Sequence, residues 1–305
     1  MMNGARAFSE RRFAWLGEPL PDVAISFEFF PPKTADAEDR LCDAIGRLAR
    51  LQPSYVSVTC GAGGNPAEGT ATLVDGLRQR AGLQAAAHLT CATAPRATVD
   101  GIAERYWTKG IRHIVALRGD PPKDAALRPN GAHYGFAADL VAALRRVGDF
   151  EISVAAYPEP HPEAPSPEAD FDNLRRKIDA GASRAITQYC FDTDAVLRLR
   201  DRMLAAGIQA PLAVGILPVH NFTQVRRFSE RCGAGIPGWL WALFEGLDDD
   251  PEQQALVAAS VAAEQARRLI VEGIKELHFY TLNRAELTIA ACRLLGVRPA
   301  LACAA

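Results

Sequence analysis

The chain has 305 residues, 49% hydrophobic and 23% charged, with a formal net charge of -2. That is enough apolar material for a large core, and a near-neutral balance without a long basic run argues against a nucleic-acid partner. No stretch reaches the ~18 apolar residues of a membrane helix, and the first residues, with Arg6, Glu10, Arg11 and Arg12, carry no apolar signal core.

Residues 1–22 read as an arm with a short helix, and 23–305 as a single catalytic domain. From Ala24 a pattern repeats. Ala24–Phe30 is an apolar strand, and Ala35–Leu51 is a helix with Leu41, Ile45, Leu48 and Leu51 on one face. Tyr55–Thr59 is a strand, followed by a Gly-rich turn and a helix near Thr70–Arg80. Strand Ala85–Leu89 precedes helix Arg96–Lys109, and strand Ile111–Leu117 precedes helix Phe136–Val147. Strand Glu151–Ala156 leads through a Pro-rich loop to helix Pro167–Ala180, ended by Gly181. Arg184–Thr187 is a strand before helix Thr193–Ala206. Leu212–Leu217 is a strand before helix Asn221–Cys232, with Asn221 as N-cap. Pro237–Gly273 looks wholly helical and inserted. Glu276–Tyr280 is the last strand and Arg284–Leu295 the last helix. Eight strand–helix units point to an α/β fold, a (β/α)8 TIM barrel with a helical insert before the last strand. No Gly-x-Gly-x-x-Gly follows the first strand, which weakens an open dinucleotide-binding sheet.

Polar residues gather at the C-terminal ends of the strands, where barrels place their ligands. Glu28, among Phe27, Phe29 and Phe30, would be desolvated, which raises a carboxyl pKa and suits it to proton donation. Alternatively Glu28 faces outward or pairs with a lysine such as Lys33. Strand two ends at Thr59 and Cys60. Strand three carries His88, which is either a hydrogen-bonded core residue or a ligand contact. Strand four ends in Arg118-Gly119-Asp120, where the plain alternative is an Arg–Asp pair closing a loop. Strand five delivers Tyr157 and His161. The helix after it carries Asp170, Asn173, Arg175, Arg176 and Lys177, a run that is often only a solvated basic face. Strand six ends at Gln188, whose amide offers donor and acceptor to a heterocycle. Seven cysteines at wide spacing, with no Cys-x-x-Cys, fit a reducing, cytoplasmic setting, and no His or acid cluster has metal spacing. No strand ends in a Schiff-base lysine, and no Ser-His-Asp arrangement is visible. A barrel lyase acting on a phosphorylated substrate would want that lysine. A binding or scaffold barrel that kept the fold and lost the chemistry would be expected to lack Glu28 or Asp120.

Seven blocks in register carry a resemblance: Phe27–Lys33, Val58–Ala62, His88–Cys91, Leu117–Pro122, Ala156–Glu159, Ile186–Gln188 and Phe279–Arg284. Together, over about residues 23–296, they resemble the flavin-dependent methylenetetrahydrofolate reductases, a (β/α)8 barrel family. The resemblance implies bound FAD, with NADH or NADPH as the hydride donor. A ping-pong mechanism follows, turning methylenetetrahydrofolate into methyltetrahydrofolate, which supplies methyl groups for methionine synthesis. By position it implies an FAD site of Thr59, Cys60, Ala62, His88, Arg118, Gly119, Asp120, Phe136, Ala137, Tyr157, His161, Ala164, Asp170, Asn173, Arg176 and Lys177. Arg118, Arg176 and Lys177 would face the pyrophosphate. Glu28 would be the general acid, and Asp120 would tune the flavin and favour a cationic folate. Gln188, Gln224, Phe228 and Arg284 would bind the folate, Phe228 as a mobile aromatic. The resemblance also implies association into a homo-oligomer. The regulatory domain of larger eukaryotic relatives, and with it control by adenosylmethionine, is not expected.

Overall fold

Strands of period-two alternation, each followed by an amphipathic helix, can bury both sheet faces only by closing or by being covered. This chain does both. The computed structural model describes residues 22–60, 66–92, 94–120 and 133–298. The expected arm at 1–22 lies outside them except for Asp22. In chain order they form β1 (Ala24–Phe29), α1 (Ala35–Ala49), β2 (Tyr55–Val58), α2 (Pro66–Ala81), β3 (Ala85–Thr90) and α3 (Arg96–Thr108). Then come β4 (His113–Leu117), α4 (Ala137–Val147), β5 (Glu151–Ala156), α5 (Pro167–Asp179), β6 (Arg184–Thr187) and α6 (Thr193–Ala205). The last third is β7 (Leu212–Ile216), α7 (Phe222–Cys232), α8 (Gly238–Phe244), α9 (Pro251–Val271), β8 (Glu276–Tyr280) and α10 (Glu286–Leu294). All neighbouring strands are parallel in sequence order, and β8 pairs with β1 to close the ring. The fold is a TIM barrel.

The main core lies between the sheet and the helices. Phe27 and Phe29 of β1, Val56 and Val58 of β2, Leu89 of β3, Ile114 of β4, Ile152 and Val154 of β5, and Leu277 and Phe279 of β8 are buried there. They pack with helix residues such as Leu41, Leu48, Val74, Leu140 and Leu269. The alternate positions face the barrel interior, and they are unusually polar. Ser26, Ser57, His88, His113, Ser153 and His278 are all buried, interleaved with Ala86, Val115, Ile186 and Ala213. At the N-terminal end Arg184 pairs with Glu151, reaches Glu276 at 2.7 Å, and lies over the Tyr55 ring.

The structure differs from the sequence reading at several boundaries, among them α2, which begins at Pro66 rather than near Thr70. The insert is not helical throughout but two helices with a break: Gly246 takes a left-handed φ of 76°, Asp250 caps α9 by accepting from the Gln253 amide, and Pro251 occupies its first turn. Those three residue types stop one helix and start another. β4 begins at His113 because Ile111, though buried, gives its amide to the Tyr106 carbonyl at the end of α3. α10 begins two residues late because Leu282 and Asn283 adopt left-handed φ values of 50° and 56°. The expected N-cap Asn221 is in place, accepting from the Gln224 amide at 2.8 Å. A second apolar cluster forms under the insert, where Phe222 stacks on Phe244 at 4.8 Å and Leu240 is fully buried.

Candidate active site

Ser26 and Glu28 are two residues apart on β1, so both point into the barrel. Glu28 therefore faces inward, toward two imidazoles rather than toward Lys33. Its Oε2 lies 3.4 Å from His88 Nε2 on β3 and 3.7 Å from His278 Nε2 on β8. Burial is the largest influence on its pKa and raises it, as the sequence suggests. The His278 contact and the His88 and His278 charges outweigh burial, and the carboxyl sits below the usual glutamate value. This corrects the expected raised pKa: isolated apolar burial was assumed, and the strand register supplies imidazoles. His88 is itself pushed down by burial, toward the neutral ring. Ser26 Oγ donates to the Leu277 carbonyl at 3.2 Å and lies 2.7 Å from His278 Nδ1. The Ser26 hydroxyl thus anchors one ring nitrogen of His278 and leaves Nε2 turned toward Glu28.

Beside this acid a cleft of about 1010 Å³ opens outside the ends of β3, β4 and β5. It is lined by twelve of the sixteen residues named for a flavin: Cys60, Arg118, Gly119, Asp120, Phe136, Ala137, Tyr157, His161, Ala164, Asp170, Asn173 and Lys177. Four are elsewhere. Thr59 closes β2 against β1 through its amide to the Phe29 carbonyl, His88 lies deeper beside Glu28, and Arg176 sits at the rim. Ala62 lies outside the described residues.

Local structure explains the cleft's walls. The Arg118 carbonyl accepts from the Cys91 and Ala92 amides, which ties the β3 and β4 ends together. Gly119 then turns with φ 77°, and a Cβ there would lie 2.9 Å from Thr90 Cβ, so no other residue fits without displacement. The plain alternative of an Arg118–Asp120 pair does not form; Arg118 pairs with Glu163 instead. Asp120 is exposed at the cleft edge. Lys177, far from being part of a solvated face, is buried and donates to the Ala155 carbonyl at 2.5 Å, and burial pulls its pKa down to about 8. Arg175 does face solvent, 3.8 Å from Asp179. Arg176 donates to Asn173 Oδ1 at 2.5 Å and lies 5.3 Å from the Phe136 ring centre. Tyr157 packs edge-on to His161, and burial lifts its pKa to about 12. Burial also raises the Cys60 pKa, so its sulfur stays a thiol and a poor nucleophile.

This donor set suits a large anionic ligand carrying flat rings. Arg118, Arg176 and Lys177 provide cations, Leu89, Ala116 and Leu117 provide apolar floor, and His88 Nε2 is buried without a hydrogen-bond partner. The volume is at the upper end of the roughly 300–1,000 Å³ of small-molecule pockets.

The other four expected contacts come from the opposite arc of the mouth. Gln188 follows β6, and its Oε1 accepts from the Tyr189 amide at 3.0 Å. Gln224 and Phe228 share one face of α7 by their i, i+4 spacing, and Phe228 is 40% exposed. Arg284 is exposed just past β8, and its charge joins burial in lowering the His220 pKa to about 4. Glu28 thus lies between two groups of ligand-binding candidates. Sequence reasoning missed Ser26, His278 and Glu163. Period-two spacing from Glu28 and Tyr280 was the available signal for the first two; nothing local marks Glu163.

A family model described as methylenetetrahydrofolate reductase matches residues 20–296. The chain is 50% identical over 286 residues to the Escherichia coli (strain K12) protein named 5,10-methylenetetrahydrofolate reductase, covering 94% of this chain and 95% of that one. It is 34% identical to an Arabidopsis thaliana protein named methylenetetrahydrofolate reductase (NADH) 1, over 90% of this chain but 48% of that one. Among solved structures, a Clostridium thermocellum protein described as binding two copies of 5-methyl-5,6,7,8-tetrahydrofolic acid aligns with a TM-score of 0.59. The alignment covers 93% of this chain and 97% of that one at 14% identity, a likeness of fold.

Proposed function

Because the chain belongs to the methylenetetrahydrofolate reductase family, we propose that it reduces 5,10-methylenetetrahydrofolate with electrons from NADH or NADPH, passed through bound FAD in a ping-pong sequence. The observation that carries this is Glu28, set on His278 at the barrel mouth beside a cation-rimmed cleft. A bound flavin would supply the hydride relay from nicotinamide to the one-carbon bridge of the folate. The rest is the work of the chain's own residues.

Arg118, Arg176 and Lys177 would hold the pyrophosphate, Gly119 would let backbone approach the ring, and His88, beside Glu28, would lie beneath it. Gln188, Gln224 and Arg284 orient the folate, with Phe228 as an adaptable aromatic wall. Glu28 gives its proton to the folate's five-membered ring, which opens to a cationic iminium able to accept hydride. Asp120 places negative charge at the cleft edge and stabilises that cation. A group held below its usual pKa is a reluctant acid. Desolvation is already the largest influence on Glu28, and covering the mouth with stacked rings strengthens it, moving the carboxyl toward its protonated form. His278, anchored by Ser26, keeps that carboxyl oriented.

The test is an anaerobic visible spectrum of the purified protein, reconstituted with FAD if needed. Bleaching by NADH and recovery on adding methylenetetrahydrofolate would support both half-reactions; bleaching without recovery would point to another acceptor. Glu28→Gln should keep its flavin and its bleaching but lose recovery by about 10²–10⁴-fold, the usual contribution of a positioned acid. Recovery at the wild-type rate would remove Glu28 from that role.

A further inference from the structure

Leucine rarely adopts the left-handed region, yet Leu282 has φ 50° and Asn283 follows at 56°. Two such residues in succession persist only where the surroundings over-determine them. Here four hydrogen bonds do so. Thr281 Oγ1 donates to the Glu28 carbonyl at 2.6 Å and accepts from the Asn283 amide at 3.1 Å. The Asn283 side chain clasps Phe30 at both ends: the Phe30 amide donates to Oδ1 at 3.0 Å, and Nδ2 donates to the Phe30 carbonyl at 2.8 Å. Asn283 is 9% exposed, so the clasp is shielded from water. The same turn points the next residue, Arg284, to the exposed mouth. Just before it, the Tyr280 hydroxyl donates to the Thr187 carbonyl at 2.7 Å, next to Gln188. Gly215 makes room, since a Cβ there would meet the Tyr280 ring at 2.6 Å.

We propose that Asn283 is a positioning residue for the folate step: its amide locks the chain leaving Glu28 to the turn that presents Arg284, so acid and substrate anchor keep one fixed geometry. This rests on the folate reduction proposed above. The amide is required as both donor and acceptor. An aspartate accepts from the Phe30 amide equally well but cannot donate to the Phe30 carbonyl unless protonated. A glycine tolerates the left-handed φ and deletes the clasp.

The experiment compares wild type, Asn283→Gly and Asn283→Asp in anaerobic stopped flow, measuring flavin bleaching by NADH and reoxidation by methylenetetrahydrofolate separately. Both variants should keep flavin and bleaching. Reoxidation should slow about 10- to 100-fold in Asn283→Gly, the scale of a misplacement near 1 Å. Asn283→Asp should be as slow at about pH 8 and regain rate relative to wild type toward about pH 6, as its buried carboxyl gains the missing proton. Wild-type reoxidation in Asn283→Gly, or an Asn283→Asp ratio that is flat with pH, overturns the coupling. Equal loss of both half-reactions overturns it too, in favour of a scaffold role. A wild type that bleaches but is not reoxidised by the folate overturns the function beneath it, an outcome no variant can mimic.

Discussion

Glu163 occupies the guanidinium that the cleft would otherwise offer to an anion. The Arg118–Glu163 pair is half exposed, and such pairs contribute about 0–1 kcal/mol. On the proposed reading, an incoming flavin pyrophosphate would have to take Arg118 from that carboxylate. Glu163→Ala should therefore tighten FAD binding, by no more than about fivefold, as read from fluorescence titration of the apoprotein. Weaker binding would mean that Glu163 aims the guanidinium rather than competing for it. The pair also shows the limit of reading at this scale. Arg118 stands out in the sequence because it ends a strand; Glu163 lies in a loop 45 positions on, where nothing local distinguishes it. Glu28 was legible as a buried acid, while the sign of its pKa shift was not, because that depends on His88 and His278 arriving from β3 and β8.

At the scale of elements, apolar periodicity gave the number and order of strands, and the errors fall where caps override it. The break between α8 and α9 is written in Gly246, Asp250 and Pro251, which a hydrophobic pattern ignores. Asp250→Ala removes the side-chain acceptor of the Gln253 amide and should cost about 1 kcal/mol, or a fall of about 2 °C in thermal midpoint. Midpoints from differential scanning calorimetry check this; no change would mean that packing of α9, with Ala258, Ala262 and Leu269 buried, fixes its start without the cap. The short β4 and the late α10 have the same origin, a hydrogen bond or a left-handed residue that outranks propensity.

For the whole molecule, the polar barrel interior sets an acid limit. Burial pushes the His113 and His220 pKa values down to about 4, against an ordinary 6.5. Between those values the unfolded chain binds protons that the folded chain refuses, so stability is full above about pH 6.5 and declines as pH falls through 4. For His113 alone the loss is about 3 kcal/mol. Thermal midpoints measured from pH 7 to 4 should drop more steeply in wild type than in His113→Gln, which keeps a partner for Ser153 but takes up no proton; parallel curves would exclude His113 as a source. Closure into a ring was legible from the count of eight strand–helix units. The polar lumen was not, because each inward residue looks isolated on its strand and acquires neighbours only when the strands pair, as His113 does with Ser153 and Ser26 with His278.

The pairing of β8 with β1 has a consequence for synthesis. The bonds that seat Glu28 span 253 residues, from the first strand to the turn after the last. The walls of the cleft, by contrast, come mostly from β3 to α5 and leave the ribosome much earlier. A nascent chain stopped short of Glu276 would own the cleft's walls but not the seat of its acid. Translation therefore completes the seat of Glu28 last: until the final strand arrives, neither His278 nor the Thr281–Asn283 turn is there to hold it.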